Sequence, residues 1–145
     1  MFPYETTILL AEDTAITRGI VHKMLYKLGF THVREAADGA EARRAIEKSL
    51  TVGNKAFGLI ISDWNMPEMS GLQLLKRVRS EPRLTLTPFI ILTSNNEKEH
   101  VLEAIRAGVT TYLAKPFPIE TLEKKIREAW NVTQQYKIRQ LPPEN

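Results

Sequence analysis

The chain has 145 residues, 43% apolar and 26% charged, which allows one domain with a sizeable core and an ordinary solvated surface. It has no cysteine, which excludes disulfide frameworks and thiolate metal sites, and no apolar stretch long enough to span a bilayer. The net charge of +3 is spread along helical segments, with no basic stripe or reader motif that would point to direct nucleic-acid binding.

The start, Met1 to Thr6, has no basic segment followed by an apolar one. With the absence of cysteine, this leads to the expectation of a cytoplasmic protein away from membranes. The first strand is read at Thr7 to Ala11. A helix follows, with Ile16, Ile20, Val21, Met24, Leu25 and Leu28 at helical spacing and Gly29 as its stop. A short strand runs from His32 to Ala36. The turn Ala37-Asp38-Gly39 leads into a helix rich in Ala, Glu and Arg that reaches Leu50.

The third strand is Leu59 to Ser62. The next helix starts at Gly71, turns Leu72, Leu75 and Val78 inward, and ends at Glu81-Pro82. The fourth strand is Phe89 to Leu92, followed by a helix from Glu97 to Ala107 with Gly108 as its stop. The fifth strand is Thr111 to Ala114. The last helix begins near Pro118 and buries Ile119, Leu122, Ile126 and Ala129. From Thr133 the chain turns polar and ends Leu141-Pro142-Pro143-Glu144-Asn145, which reads as a frayed tail or the start of a linker. The domain is therefore placed over residues 1–132 and the tail over 133–145.

Five strands alternating with five helices predict an α/β fold: a five-stranded parallel sheet, doubly wound, with helices on both faces. Ligands in such sheets bind beyond the carboxyl ends of the strands. There this sequence puts Glu12 and Asp13, Asp63, Thr93 and Lys115. Taken singly, each has a plainer explanation. The acid pair could cap the first helix, Thr93 could be a β-branched strand end, and Lys115 could be a surface lysine before a turn. Together, acid pair, acid, hydroxyl and ammonium suit a Mg²⁺ ion and a phosphoryl group. Asp13, Asp63 and a loop carbonyl are a workable ligand set for a hard cation. Asp63 itself could be a ligand, a nucleophile or a loop acid; an aspartate accepts a phosphoryl group once its charge is neutralised.

The runs Leu9-Leu10-Ala11-Glu12-Asp13, Ile61-Ser62-Asp63-Trp64-Asn65-Met66-Pro67, Ile91-Leu92-Thr93-Ser94 and Tyr112-Leu113-Ala114-Lys115-Pro116-Phe117 occur in this order along the chain. In order and spacing they resemble the receiver domain of two-component response regulators, of the CheY-like chemotaxis type, over Thr7 to Trp130. The resemblance implies a flavodoxin-like strand order, 2-1-3-4-5. It implies that Asp63 is the phosphoacceptor and that Mg²⁺ is held by Asp13, with Glu12 helping, by Asp63 and by the backbone carbonyl of Asn65. It implies that Thr93 and Lys115 contact the phosphoryl group, that Thr93 and Tyr112 form a switch, and that the Lys115-Pro116 peptide is cis. Asn65 and Asn95 would flank the attacking water and set the phosphoryl lifetime.

The implied partners are a sensor histidine kinase as phosphodonor and a downstream target protein, such as a flagellar or pilus motor component. That target would be selected by the surface of the fourth helix, fifth strand and fifth helix of a monomer. The implied role is a signalling domain rather than an enzyme acting on outside substrates. His22, His32 and His100 are read as structural or surface residues. Two features depart from the pattern: Asn95 stands where an acid is common, and the acid pair is Glu-Asp. The alternatives are a receiver within a larger regulator that has a DNA-binding or enzymatic output, an aspartyl phosphatase of haloacid-dehalogenase type, and a flavin binder. The phosphatase would need an acid where Asn65 stands. The flavin binder would need a phosphate loop where Glu12-Asp13 stands.

Overall fold

The computed structural model describes residues 1–53, 55–94 and 98–140, with the backbone only for Lys98. Its elements are β1 (Ile8–Ala11), α1 (Ala15–Lys27), β2 (Val33–Ala36), α2 (Gly39–Thr51), β3 (Leu59–Asp63), α3 (Gly71–Ser80), a 3-10 turn (Pro82–Leu84), β4 (Phe89–Thr93), α4 (Lys98–Arg106), β5 (Thr111–Ala114) and α5 (Ile119–Arg139). The strands form one parallel sheet in the order β2-β1-β3-β4-β5. This is the expected doubly wound α/β fold. The predicted residues Glu97 and Asn95 lie outside the described residues.

Strand alternation divides the core in two. Leu9, Ile60 and Ile91 point to one face, where they meet Ala42 and Ile46 of α2 and Leu74, Leu75 and Val78 of α3. Ile8, Leu10, Ile61, Ile90 and Leu92 point to the other, onto Val21 and Leu25 of α1 and Leu122, Ile126 and Ala129 of α5. Burying each of the large apolar side chains among these is worth about 2 kcal/mol, so the largely apolar strands β1, β3 and β4 are committed to a sheet covered on both sides.

Local signals start and stop the helices. The Asp38 side chain accepts from the Glu41 N–H at the head of α2. Ser70 and Gln73 make a reciprocal capping box at the head of α3. Gly29 and Gly108 follow α1 and α4 with positive φ, a conformation other residues adopt only with strain.

Three helices differ from the sequence reading. In α1 the apolar positions spread over about 180° of the helix surface, and the sheet covers only part of that arc. Val21 and Leu25 are buried, whereas Ile16 and Ile20 are exposed. In α5 the helix does not stop near residue 132 but continues to Arg139, and Thr133 is buried on the row that carries Leu122, Ile126 and Ala129. In α3 it is Leu74, with Leu75 and Val78, that is fully buried, and Leu72 packs at the margin.

Candidate functional site at the strand ends

The β1 ladder runs one residue past its strand. The Glu12 N–H donates to the Ala36 carbonyl at 3.0 Å, which holds the Glu12 side chain inward at 1% exposure. Asp13, next along, is exposed. Neither acid caps α1, because Thr14 occupies that position. Asp63 is the last residue of β3 and is buried. The Trp64 N–H donates both to Asp63 Oδ1, at 2.9 Å, and to the Leu92 carbonyl, at 2.8 Å. Thr93 closes β4 and is buried.

Lys115 follows β5. Its N–H donates to the Thr93 carbonyl at 2.8 Å, and its peptide to Pro116 is cis, as expected. Its Nζ reaches Asp63 Oδ2 at 3.1 Å and Glu12 Oε2 at 3.2 Å. A lysine merely at the surface would make neither contact.

Glu12, Asp13 and Asp63 offer oxygen atoms that all lie within 4.8 Å of one another. Three carboxylates face one ammonium, so two negative charges remain uncompensated when all are ionised. The strain shows in Glu12. Its carboxyl is raised from 4.5 to about 7, first by burial and then by the Asp63 carboxylate beside it, against the pull of Lys115. Burial alone would lower the Lys115 ammonium, but the charges of Asp63 and Glu12 outweigh it and the net shift is upward. A cluster of hard oxygen donors, short of positive charge and open on the Asp13 side, fits Mg²⁺.

The loop after Asp63 is shaped by close packing. The Gly71 N–H donates to the Trp64 carbonyl at 2.8 Å. A Cβ on Gly71 would lie 2.1 Å from the Asp63 carbonyl oxygen. Only glycine lets α3 start this close to the acidic strand end. The sequence marks Gly71 as a helix start but gives no sign of this contact. Asn65 is exposed in the same loop.

The remaining predicted positions are more scattered. Tyr112 is half-buried on β5, with Lys125 Nζ 5.4 Å from its ring centroid. His22 Nδ1 meets the Glu35 carboxylate, which also receives Arg18 at 2.8 Å. His32 is exposed. His100 is stacked on Trp64, a contact that the sequence does not reveal.

Comparison with known proteins gives this geometry its context. The profile of the response regulator receiver domain matches residues 8–127. The chain belongs to the response regulator receiver family. It is 38% identical to the chemotaxis protein CheY1 of Helicobacter pylori over 119 residues, which cover 82% of this chain and 92% of that protein. The fold is similar to the chemotaxis response regulator CheY4 of Vibrio cholerae, with a TM-score of 0.76 and 34% identity over 86% of this chain and 98% of that one. It is also similar to the receiver domain of the sensor histidine kinase PA1611 of Pseudomonas aeruginosa, a structure with magnesium coordinated in its active-site cleft. There the TM-score is 0.74, with 28% identity over 87% of this chain and 98% of that one. This receiver is therefore CheY-like, a signalling domain of two-component systems. Among the described residues no helix is long and apolar enough to cross a membrane.

Proposed function

We propose that this receiver accepts a phosphoryl group on Asp63 from a sensor histidine kinase and thereby selects a downstream protein in chemotaxis or motility signalling. The observation that carries this reading is the contact of Lys115 Nζ with both Asp63 and Glu12 beside a three-carboxylate cluster. Glu12, Asp13 and Asp63, with the Asn65 carbonyl, would hold Mg²⁺. The magnesium-bound PA1611 receiver supports this assignment. When bound, the ion supplies positive charge that offsets the charge on the phosphoryl oxygens.

The residues then divide the work. The Trp64 N–H holds Asp63 Oδ1, while Oδ2 faces the ammonium of Lys115. An Asp63 oxygen attacks the phosphorus of a phosphohistidine. The new P–O bond forms as the P–N bond breaks, and the imidazole, already protonated on its other ring nitrogen, leaves as the neutral base. Lys115 stays close to the transferred charge, and the Thr93 hydroxyl contacts a phosphoryl oxygen. The acyl phosphate shifts an existing balance between two conformations of Thr93, Tyr112 and the α4-β5-α5 surface. Asn65 and Asn95 would set how long the phosphoryl group lasts. The chain works as a monomer and catalyses only its own phosphorylation and dephosphorylation.

The test is phosphotransfer from an autophosphorylated kinase, followed by binding to a chemotaxis target. Lys115→Ala should retain phosphorylation, unchanged or reduced, and lose phosphorylation-dependent target selection. Unchanged target selection in that variant would remove Lys115 from the coupling.

A further inference from the structure

Little holds α4 to the rest of the fold. Among its described side chains only Ala104 is fully buried, while Leu102 and Ile105 are exposed. Yet His100, near its start, lays its ring on the indole of Trp64, with centroids 4.8 Å apart and planes 12° from parallel. The Nδ1 atom of His100 is buried there without a hydrogen-bond partner. A polar atom buried this way carries a cost that an apolar ring would avoid.

Trp64 is the residue after Asp63. Its side chain is buried in the core layer formed by α2 and α3. Its backbone N–H is the donor that holds Asp63 Oδ1, leaving Oδ2 to Lys115. An unbroken series of contacts thus runs from α4, through one imidazole and one indole, to the acidic carboxylate.

We propose that His100 is a positioning residue for the chemistry at Asp63, acting through Trp64. The flat imidazole covers one face of the indole and so fixes the peptide whose N–H aims Asp63 Oδ1. The seating of α4 and the aim of the carboxylate are then set together. This rests on Asp63 as the phosphoryl acceptor. Only a flat ring is needed at position 100, so phenylalanine should serve and a branched aliphatic chain of similar bulk should not.

The test uses a Trp130→Phe background, in which emission reports Trp64 alone. His100, His100→Leu and His100→Phe are compared, first metal-free by fluorescence, then with Mg²⁺ and acetyl phosphate by intact mass. His100→Leu should change the Trp64 emission and lower the maximal rate of adduct formation about tenfold, the scale of a small misplacement of a reacting group. The acetyl phosphate concentration at half-maximal rate should not move. His100→Phe should restore both emission and rate. Equal maximal rates in all three proteins would overturn the proposal, as would a slow His100→Phe variant that keeps the native emission. No adduct on the His100 protein would instead overturn the acceptor reading, and this inference with it.

Discussion

The two ends of the sheet are built from opposite chemistry. At the carboxyl ends of the strands, Glu12, Asp13, Asp63 and Lys115 crowd together with more negative charge than the protein neutralises. At the other end aromatic rings close the core. Phe2 meets Trp130 edge-on with centroids 5.0 Å apart, and Tyr4 leans on Phe30 at 5.9 Å. One end is unfavourable as it stands and suited to a ligand. The other is favourable as it stands and asks for nothing. Stability and function should therefore separate along the strands.

Cutting into the aromatic end should have the largest effect on stability. Phe2 is buried, and Phe2→Ala removes a ring from a packed cluster at a cost of about 3 kcal/mol. Chemical denaturation should show that loss, while the rate of phosphorylation stays unchanged. A Phe2→Ala protein that kept its stability but phosphorylated slowly would break the separation.

Gly71→Ala tests the boundary from the site end. Its Cβ would press on the Asp63 carbonyl oxygen, so backbone must shift, at about 2 kcal/mol by analogy with overpacked cores. Because the shift falls on the acidic strand end, phosphorylation should suffer too. Denaturation and adduct formation measured on one preparation would decide whether both change.

A further effect concerns pH in the metal-free protein. Glu12 is raised from 4.5 to about 7 by burial and by Asp63. Between these values the folded chain holds a proton that the unfolded chain has lost. Stability contributed by this group is therefore full below pH 4.5 and falls as pH rises towards 7. Glu12→Gln should flatten that decline relative to the parent protein in denaturation curves recorded with a chelator. An equal slope in both proteins would mean that Glu12 titrates normally.

Much of this contrast is legible in the sequence because strand ends are legible. Apolar runs of three or four residues in β1, β3, β4 and β5, with an acid, a threonine or a lysine at or just past the strand end, mark both the sheet and its functional edge. Less visible is whatever depends on side chains from distant segments. The Phe2–Trp130 contact joins segments near the two ends of the sequence, and the His100–Trp64 stack joins α4 to the loop after β3. The continuation of α5 to Arg139 is hidden for another reason. Gln134, Gln135, Tyr136, Lys137 and Arg139 suggest a solvated tail, yet most of these types are good helix formers, and buried Thr133 extends the packing row without looking apolar. Ile16 and Ile20 mislead in the opposite sense, being apolar at helical spacing but outside the arc that the sheet covers.

The central claim is that the crowded strand end is a phosphoryl acceptor centred on Asp63. Intact mass after incubation with acetyl phosphate tests it most directly, with and without Mg²⁺, on the parent protein and on Asp63→Asn. The account predicts one phosphoryl adduct on the parent protein with Mg²⁺, and none without the ion or in the folded variant. An adduct of equal yield on Asp63→Asn, or no adduct on the parent protein under any condition, would contradict it.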